Sequence, residues 1–519
     1  MGVNKKGGLV GGFDQLRAPD APTISVSVGN ASVTVTITNP SDTGGGDITS
    51  YAVSALTGPI EDTTFAVTVV SDGGNKYAID GTTQGTVTLH KGHTYIFDQS
   101  DSSNSGHPLR LSTTSNGTHG GGSEYTTGVT TSGTPGSAGA FTKIAVDSGA
   151  ASTLYYYCSS HSGMGGSATV KTSLQGGASG SSSPITVSSL TNDEAYNVRA
   201  SAINAFGQSP YSDATSSTPS DLAGDIGVFA GGSTTAAYVN TIQFINFAST
   251  GNASDFGDLS EAKSVKAGAA SSTRAIFAGG YGGSGRSNVI EYITMSTKGD
   301  ATDFGDLTAA ANNNSANSNA TRAVINIGYS TAYSNVIEYV TIASTGNATD
   351  FGDSTHSSGL TSATGNTTRI VFGGGYGSGY VNIMEYVTIA SAGNATDFGD
   401  LSANRRGMGA ASSSTRGVFG GGGMSGGTYH VNTIEYITIG STGNTTDFGD
   451  LPSITEAPTG TSDKTTGVFA GGNVHTNGTD TNEIRQITIA STGDATDWGD
   501  LAEAIEGLAG TGNAHGGIA

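Results

Sequence analysis

Asn394-Ala395-Thr396-Asp397-Phe398-Gly399-Asp400-Leu401 recurs in near-identical form six times in the second half of the chain. Its aromatic falls at Phe256, Phe304, Phe351, Phe398, Phe448 and Trp498. The copies stand 47 to 50 residues apart, and a fixed period of that length marks a repeat architecture. Every copy carries the same parts in the same order. In the fifth, the small residues Gly409-Ala410-Ala411-Ser412-Ser413 are followed by Arg416-Gly417-Val418-Phe419 running into Gly420-Gly421-Gly422. A variable Gly/Tyr loop leads to Asn432-Thr433-Ile434-Glu435-Tyr436-Ile437-Thr438-Ile439, which alternates as a half-buried strand should. Ser441-Thr442-Gly443-Asn444 turns by composition, and the Thr-Asp-Phe-Gly-Asp element closes the unit.

Four short strands are the content of one propeller blade. The first copy begins at Ile226-Gly227-Val228-Phe229 and lacks the leading strand, while Gly507 to His515, after the sixth copy, reads like that missing strand. The expectation for 226–519 is therefore a six-bladed β-propeller closed by a C-terminal strand, which leaves no long unpaired edge. The Gly-Gly doublet after a hydrophobic strand, the Tyr-bearing strand and the later aromatic resemble the kelch repeat. The third copy departs from it with Ile325-Asn326-Ile327-Gly328, and the sixth has Arg485-Gln486 where others have Glu-Tyr. The resemblance implies a recognition platform rather than an activity.

Composition agrees with an all-β chain. Of 519 residues 82 are glycine and only 12% are charged, and no long amphipathic helix stands out. The net charge of -21 argues against nucleic acid as a partner, because phosphate binding needs a basic patch. No run of 18 apolar residues announces a membrane span. Residues 1–18 lack the apolar segment of a secretion signal and read as a loose tail or a docking peptide. With one cysteine, no intrachain disulfide forms.

Between tail and repeats the chain reads as two interleaved β modules. Val33 to Ile37 and Ile48 to Val53 alternate, and a second piece runs from Pro184 to Gly207. Residues 19–57 and 181–219 together resemble one fibronectin type III sandwich, with Leu190 and Tyr196 as its tyrosine corner; the Trp of that family's early strand is absent. Residues 58–180 form an insert, and 220–225 a linker. The insert contains Tyr157-Cys158-Ser159-Ser160-His161-Ser162-Gly163-Met164, with His107 upstream after a strand. Two imidazoles and a thiolate in a plane, with a distant thioether, are what a blue-copper centre requires. The insert resembles a cupredoxin, which implies copper on His107, Cys158, His161 and Met164. The other reading leaves Cys158 as a small apolar residue of the core.

The variable loops of the repeats carry Tyr238, Tyr281, Tyr333, Tyr376, Tyr380, Tyr429, His430 and His475. Tyrosine on variable loops over a rigid scaffold suits the recognition of sugars or proteins; packing between repeats is the alternative. The repeated Glu (Glu291, Glu338, Glu385, Glu435) and Arg (Arg274, Arg322, Arg369, Arg416) are expected to pair with each other structurally. No catalytic motif is present, so an enzyme is not expected. Taken together, the modules resemble tail fibres or other virion appendages of the tailed phages of marine cyanobacteria. That resemblance implies assembly in the host cytoplasm, attachment to other tail or baseplate proteins through the N-terminal region, homo-oligomers, and binding of a host surface glycan or protein. A cellular surface adhesin or filament subunit is the second reading. A copper-dependent oxidase or glycan-cleaving enzyme is the third.

Overall fold

A computed structural model describes residues 16–425, 430–474 and 478–518. Within them the chain is all-β: the only helical pieces are two 3-10 turns, Ser102–Asn104 and Gly117–Gly120. It divides into two compact units, one ending at Asp221 and one beginning at Leu222. Most of the N-terminal tail expected over 1–18 lies outside the described residues.

In the first unit, Thr23–Gly29, Ser32–Thr38 and Ile185–Val187 form one sheet. Gln175–Gly180, Ser50–Thr57 and Tyr196–Asn204 form another, extended by two short strands. The alternation read from the sequence sets their inner faces: Val33, Val35, Tyr51, Val53, Val198 and Ala200 share one core. Tyr196 is buried and its hydroxyl accepts the Thr191 N–H at 3.0 Å. The insert's strands, from Thr63–Ser71 to Gly166–Lys171, build two further sheets around a separate core that includes Tyr77, Phe97, Leu109 and Tyr156. Gln175–Gly180 falls inside the expected insert but pairs with Ser50–Thr57, Gln175 opposite Leu56 and Gly180 opposite Tyr51. Its Gly, Ala and Ser residues offered no hydrophobic pattern by which to assign it.

In the second unit every repeat folds into four antiparallel strands. Those of the fifth are Gly409–Ser412, Arg416–Gly420, Thr433–Thr438 and Thr446–Asp450. The first repeat supplies three, and its fourth is Ala509–Gly512, which pairs with Ile226–Ala230 so that Val228 faces Thr511. The first strands of the repeats touch in a cycle. Ala267–Ala270 meets Ser315–Ser318 on one side and Ala509–Gly512 on the other, and Ala509–Gly512 also meets Thr459–Ser462. At Gly460 a side chain would prevent this approach: a Cβ there would lie 2.2 Å from the Ala410 carbonyl oxygen.

The recurring turn is the joint between neighbouring sheets. Asp306 N–H donates to the Asn347 side chain of the following repeat at 3.0 Å, and Asp400 does the same to Asn444. The series closes with Asp500 donating to Asn252 of the first repeat at 3.0 Å. The turn's glycine has a φ of 141° to 154° in all six copies, a conformation that needs glycine. A Cβ on Gly257 would stand 2.3 Å from the Gly299 oxygen, and one on Gly499 2.4 Å from that of Gly251. The aromatic beside each glycine is buried, and most pack edge-on against the preceding strand, as Phe304 does on Tyr292 at 6.0 Å.

The expected pairing of the repeated Arg with the repeated Glu does not occur. Arg274, Arg322, Arg369 and Arg416 lie over Tyr292, Tyr339, Tyr386 and Tyr436, 4.1 to 4.6 Å from the ring centres. Each donates to a backbone carbonyl of the next repeat, Arg274 to Ile342 and Arg416 to Ile489. The Glu is buried and instead accepts the backbone N–H that follows the recurring turn: Ser260 to Glu291, Thr355 to Glu385. Where a base stands three residues further on, it pairs with that Glu: Lys263 with Glu291 at 2.8 Å and Arg405 with Glu435 at 2.7 Å. In the first repeat Ile505 stands at the base position, and the acid is the neutral Gln243, which accepts from Ala502. In the sixth, Pro452 has no N–H to donate, and the Glu is replaced by Arg485, which donates to Gly471 O as Arg405 does to Gly421 O. The sixth copy's departure from the repeat thus has a local cause.

Candidate functional site

The first unit brings three of the four expected metal ligands together. Cys158 ends the Thr153–Cys158 strand, and its partner across the sheet is Leu109, two residues beyond His107. The loop back through His161 to Gly166–Lys171 is forced tight by glycine. Gly163 has φ 75°, and a Cβ on Gly165 would stand 1.7 Å from the Tyr156 carbonyl oxygen. Cys158 Sγ lies 3.9 Å from His107 Nδ1 and 3.6 Å from His161 Nδ1. Metal–sulfur and metal–nitrogen bonds of about 2.3 and 2.0 Å at trigonal-to-tetrahedral angles set N and S about 3.5–3.7 Å apart. The donor set therefore fits a thiophilic ion such as copper or zinc with a slight inward movement of His107. Cys158 is buried, His107 half-buried and His161 exposed. Met164 is buried in the same core as Cys158.

The surrounding residues hold this arrangement. The His107 carbonyl accepts from the Tyr77 hydroxyl and from the Gln99 amide, both at 2.8 Å. Asn116 accepts the Gly163 N–H at 2.8 Å and donates to Ser162, and His119 Nε2 meets the Cys158 carbonyl at 3.1 Å. Lys76 donates to the Gly163 carbonyl at 2.6 Å. Burial, with His161 beside it, lowers the pKa of His107, so the ring is a neutral donor near pH 7. Burial and the Cys158 sulfur push the Tyr77 hydroxyl well above the usual phenol range. None of these outer residues carries a motif legible in the sequence.

In the second unit the variable loops make a second layer. In each repeat the segment leading into the first strand pairs with the Gly/Tyr loop to give a narrow ribbon. Ser264 faces Tyr281, Asn312 faces Tyr329, Gly359 faces Tyr376, Arg406 faces Gly423, and Glu506 faces Ser233. Tyr238 and Tyr281 are exposed and meet edge-on at 6.0 Å. Tyr329, Tyr333, Tyr376 and Tyr380 form a ladder across the third and fourth repeats, with ring centres 4.9, 5.6 and 5.1 Å apart. Arg406 of the fifth repeat lies over Tyr376 and Tyr380 at 5.3 and 5.0 Å, and Arg286 over Tyr329 at 4.5 Å. Glu456 bonds Arg406 at 3.1 Å and lies 3.0 Å from His430 Nδ1. Tyr429 and His475 lie outside the described residues.

Tyr329 escaped the sequence reading because it stands in the aberrant third copy. Arg286, Arg406 and Glu456 have no counterpart from repeat to repeat, and that lack of repetition was the available signal. Inside the ribbons, the first strand of every repeat contributes to the wall of a small cavity of about 60 Å³, among them Gly268, Ala316, Ala363, Ala410, Gly460 and Gly510. Two of its lining residues, Leu360 and Gly407, belong to a ring of left-handed backbone at the same place in successive repeats: Asn313, Leu360, Gly407, Ala457 and Gly507 have φ between 55° and 67°. Leu360, Gly407 and Ala457 each donate to the preceding member at 2.8 to 3.0 Å. Non-glycine residues held this way are strained, and such strain concentrates at functional sites. No protein-family model matches the chain, and no curated protein matches it.

Proposed function

We propose that the protein is a virion appendage adhesin that meets a host cell surface through the loop face of its repeats. On this reading the six sheets are the blades of a kelch-like propeller, and the first unit is a fibronectin type III sandwich carrying a cupredoxin-like insert. The cyclic contacts of the first strands and the six-fold series of turn bonds support the propeller. The corner at Tyr196 and the His107–Cys158–His161 cluster support the modules of the first unit. The observation that carries recognition is the contrast within each repeat. One end is the same in all six copies, and the other presents different tyrosines, arginines and acids on ribbons of one design. The virion assignment rests on the order of the modules and the Gly/Ser/Thr/Asn-rich composition.

Binding would follow from tyrosine stacking and hydrogen bonding at the rim of a rigid scaffold. In the first unit His107, Cys158 and His161, with Met164 in the same core as Cys158, would hold copper. A metal bound only by the folded form adds to its stability, and no step of recognition needs it. The test is adsorption of the purified full chain to host cells. Saturable binding that falls when Tyr333 and Tyr380 are both replaced by Ala is expected. Equal adsorption to host and unrelated cells, unchanged by those replacements, removes the reading. Copper titration adds a separate check: the visible charge-transfer band of a thiolate–copper centre is expected, and its loss in Cys158→Ser.

A further inference from the structure

The second unit contains few basic side chains, and most have partners. Lys263 and Arg405 pair with buried Glu291 and Glu435, Arg485 with Glu483, and Arg274, Arg322, Arg369 and Arg416 are held by rings and carbonyls. Lys266 differs. It is the one charged residue lining the cavity among the described residues. No described residue hydrogen-bonds or ion-pairs with its ammonium; Glu506, Glu456 and Arg406 act on it only at a distance. It also stands where the left-handed ring is broken. In the second repeat Val265 takes the ring position without positive φ, and Ser264 closes the gap by donating to the Gly507 carbonyl at 2.8 Å. In the third repeat the residue aligned with Lys266 is Asn314, which is buried with neither amide atom bonded among the described residues.

Lys266 is half-buried at the cavity wall, and a charge partly withdrawn from water gains from a counter-ion. Burial lowers the pKa of Lys266, and the two carboxylates offset that only in part. We infer that the cavity mouth is an anion site, with Lys266 as its cation, for the carboxylate of an acidic sugar in the bound glycan. The cavity of about 60 Å³ holds a group of a few water-sized positions, each about 10–15 Å³, which suits a carboxylate and excludes a whole ring. Glu506 and Glu456 nearby disfavour a dianion such as a phosphate monoester, yet they can accept sugar hydroxyls. Arg406 links the mouth to the ladder of Tyr376 and Tyr380, where adjoining rings would stack. Uronic and sialic acids combine these features: one negative charge, several hydroxyls and a ring face.

This site rests on the recognition reading above, and the test separates the two. Uronate and sialyl oligosaccharides are titrated calorimetrically into the full chain, each beside the same oligosaccharide with its carboxyl groups reduced to alcohols. At least one acidic member is expected to bind, with its reduced form weaker by about tenfold or more. Lys266→Met should remove that difference and Lys266→Arg should retain it, while Lys464→Met, a loss of the same charge in an exposed turn, should change nothing. Raised salt should weaken the acidic ligands only. Binding of reduced and acidic forms alike, or binding that survives Lys266→Met intact, overturns the anion site and leaves glycan recognition standing. No binding by any member overturns both. Should Lys266→Met fail to fold, the comparison of acidic with reduced ligands on the natural chain still decides.

Discussion

The two ends of each repeat were built under different constraints. At the recurring turn, Asp306 and its five counterparts donate to an Asn or Asp side chain one repeat on, and the glycines sit against the neighbour's backbone. Only glycine fits the glycine positions and only Asn or Asp accepts the bond, so the sequence there is near-identical in all six copies. At the ribbon end the backbone design is shared but the side chains are not: Ser264, Gly359, Arg406 and Glu506 occupy comparable places on one strand, and Tyr281, Tyr376, Gly423 and Ser233 face them. Repetition in this molecule marks geometry, and departure from repetition marks either a local substitution of partners, as at Pro452 and Arg485, or a surface free to recognise something.

The comparison is broken most severely at the buried ion pairs. Arg405→Met leaves Glu435 buried without its base and should cost about 3–5 kcal/mol, measured by chemical denaturation of the second unit. Arg405→Ile with Glu435→Gln copies the Ile505–Gln243 arrangement of the first repeat and should recover most of the loss. Next comes His515, buried and bonded to Ser318 and the Ala270 carbonyl, with its pKa lowered by burial to about 4. Because its folded value lies below the free value, unfolded chains bind the extra proton first. Stability should therefore be undiminished above pH 6.5 and fall by roughly 3 kcal/mol as pH drops to about 4, a slope that His515→Gln should flatten.

Gly257→Ala, at φ 152° with the Gly299 oxygen 2.3 Å from the new carbon, should cost about 2 kcal/mol or more. Gly283→Ala in a ribbon loop, where a Cβ meets nothing within 4 Å, should stay within about 0.5 kcal/mol. If both glycines proved equally tolerant, the division between fixed and variable ends would lose its physical basis. Asn347→Ala removes one turn bond to Asp306 and should cost about 1 kcal/mol, a small shift of the thermal midpoint.

Much of this was legible in the sequence because the turn leaves a period. Phe256 to Trp498 mark it, and the strand missing before Ile226 pointed to Ala509–Gly512. The candidate cluster was legible because Cys158 and His161 are close neighbours on one loop, with His107 upstream. The partners of the repeated Glu were not. Lys263 and Arg405 stand in segments whose composition changes from repeat to repeat, so no period reveals them. The aromatic stacking of Arg274 and its equivalents was hidden for another reason: a strand carrying Arg opposite one carrying Glu and Tyr permits either contact. Burial decides it, since the Glu side chains face the interior while the Tyr rings remain half exposed.

The account depends on Ala509–Gly512 completing the first sheet, and amide hydrogen exchange tests it without altering the chain. Ala509–Gly512 should be protected as strongly as Thr459–Ser462, the corresponding strand of the sixth repeat. Exchange of Ala509–Gly512 within seconds, while Thr459–Ser462 stays protected, would contradict the closed series of sheets.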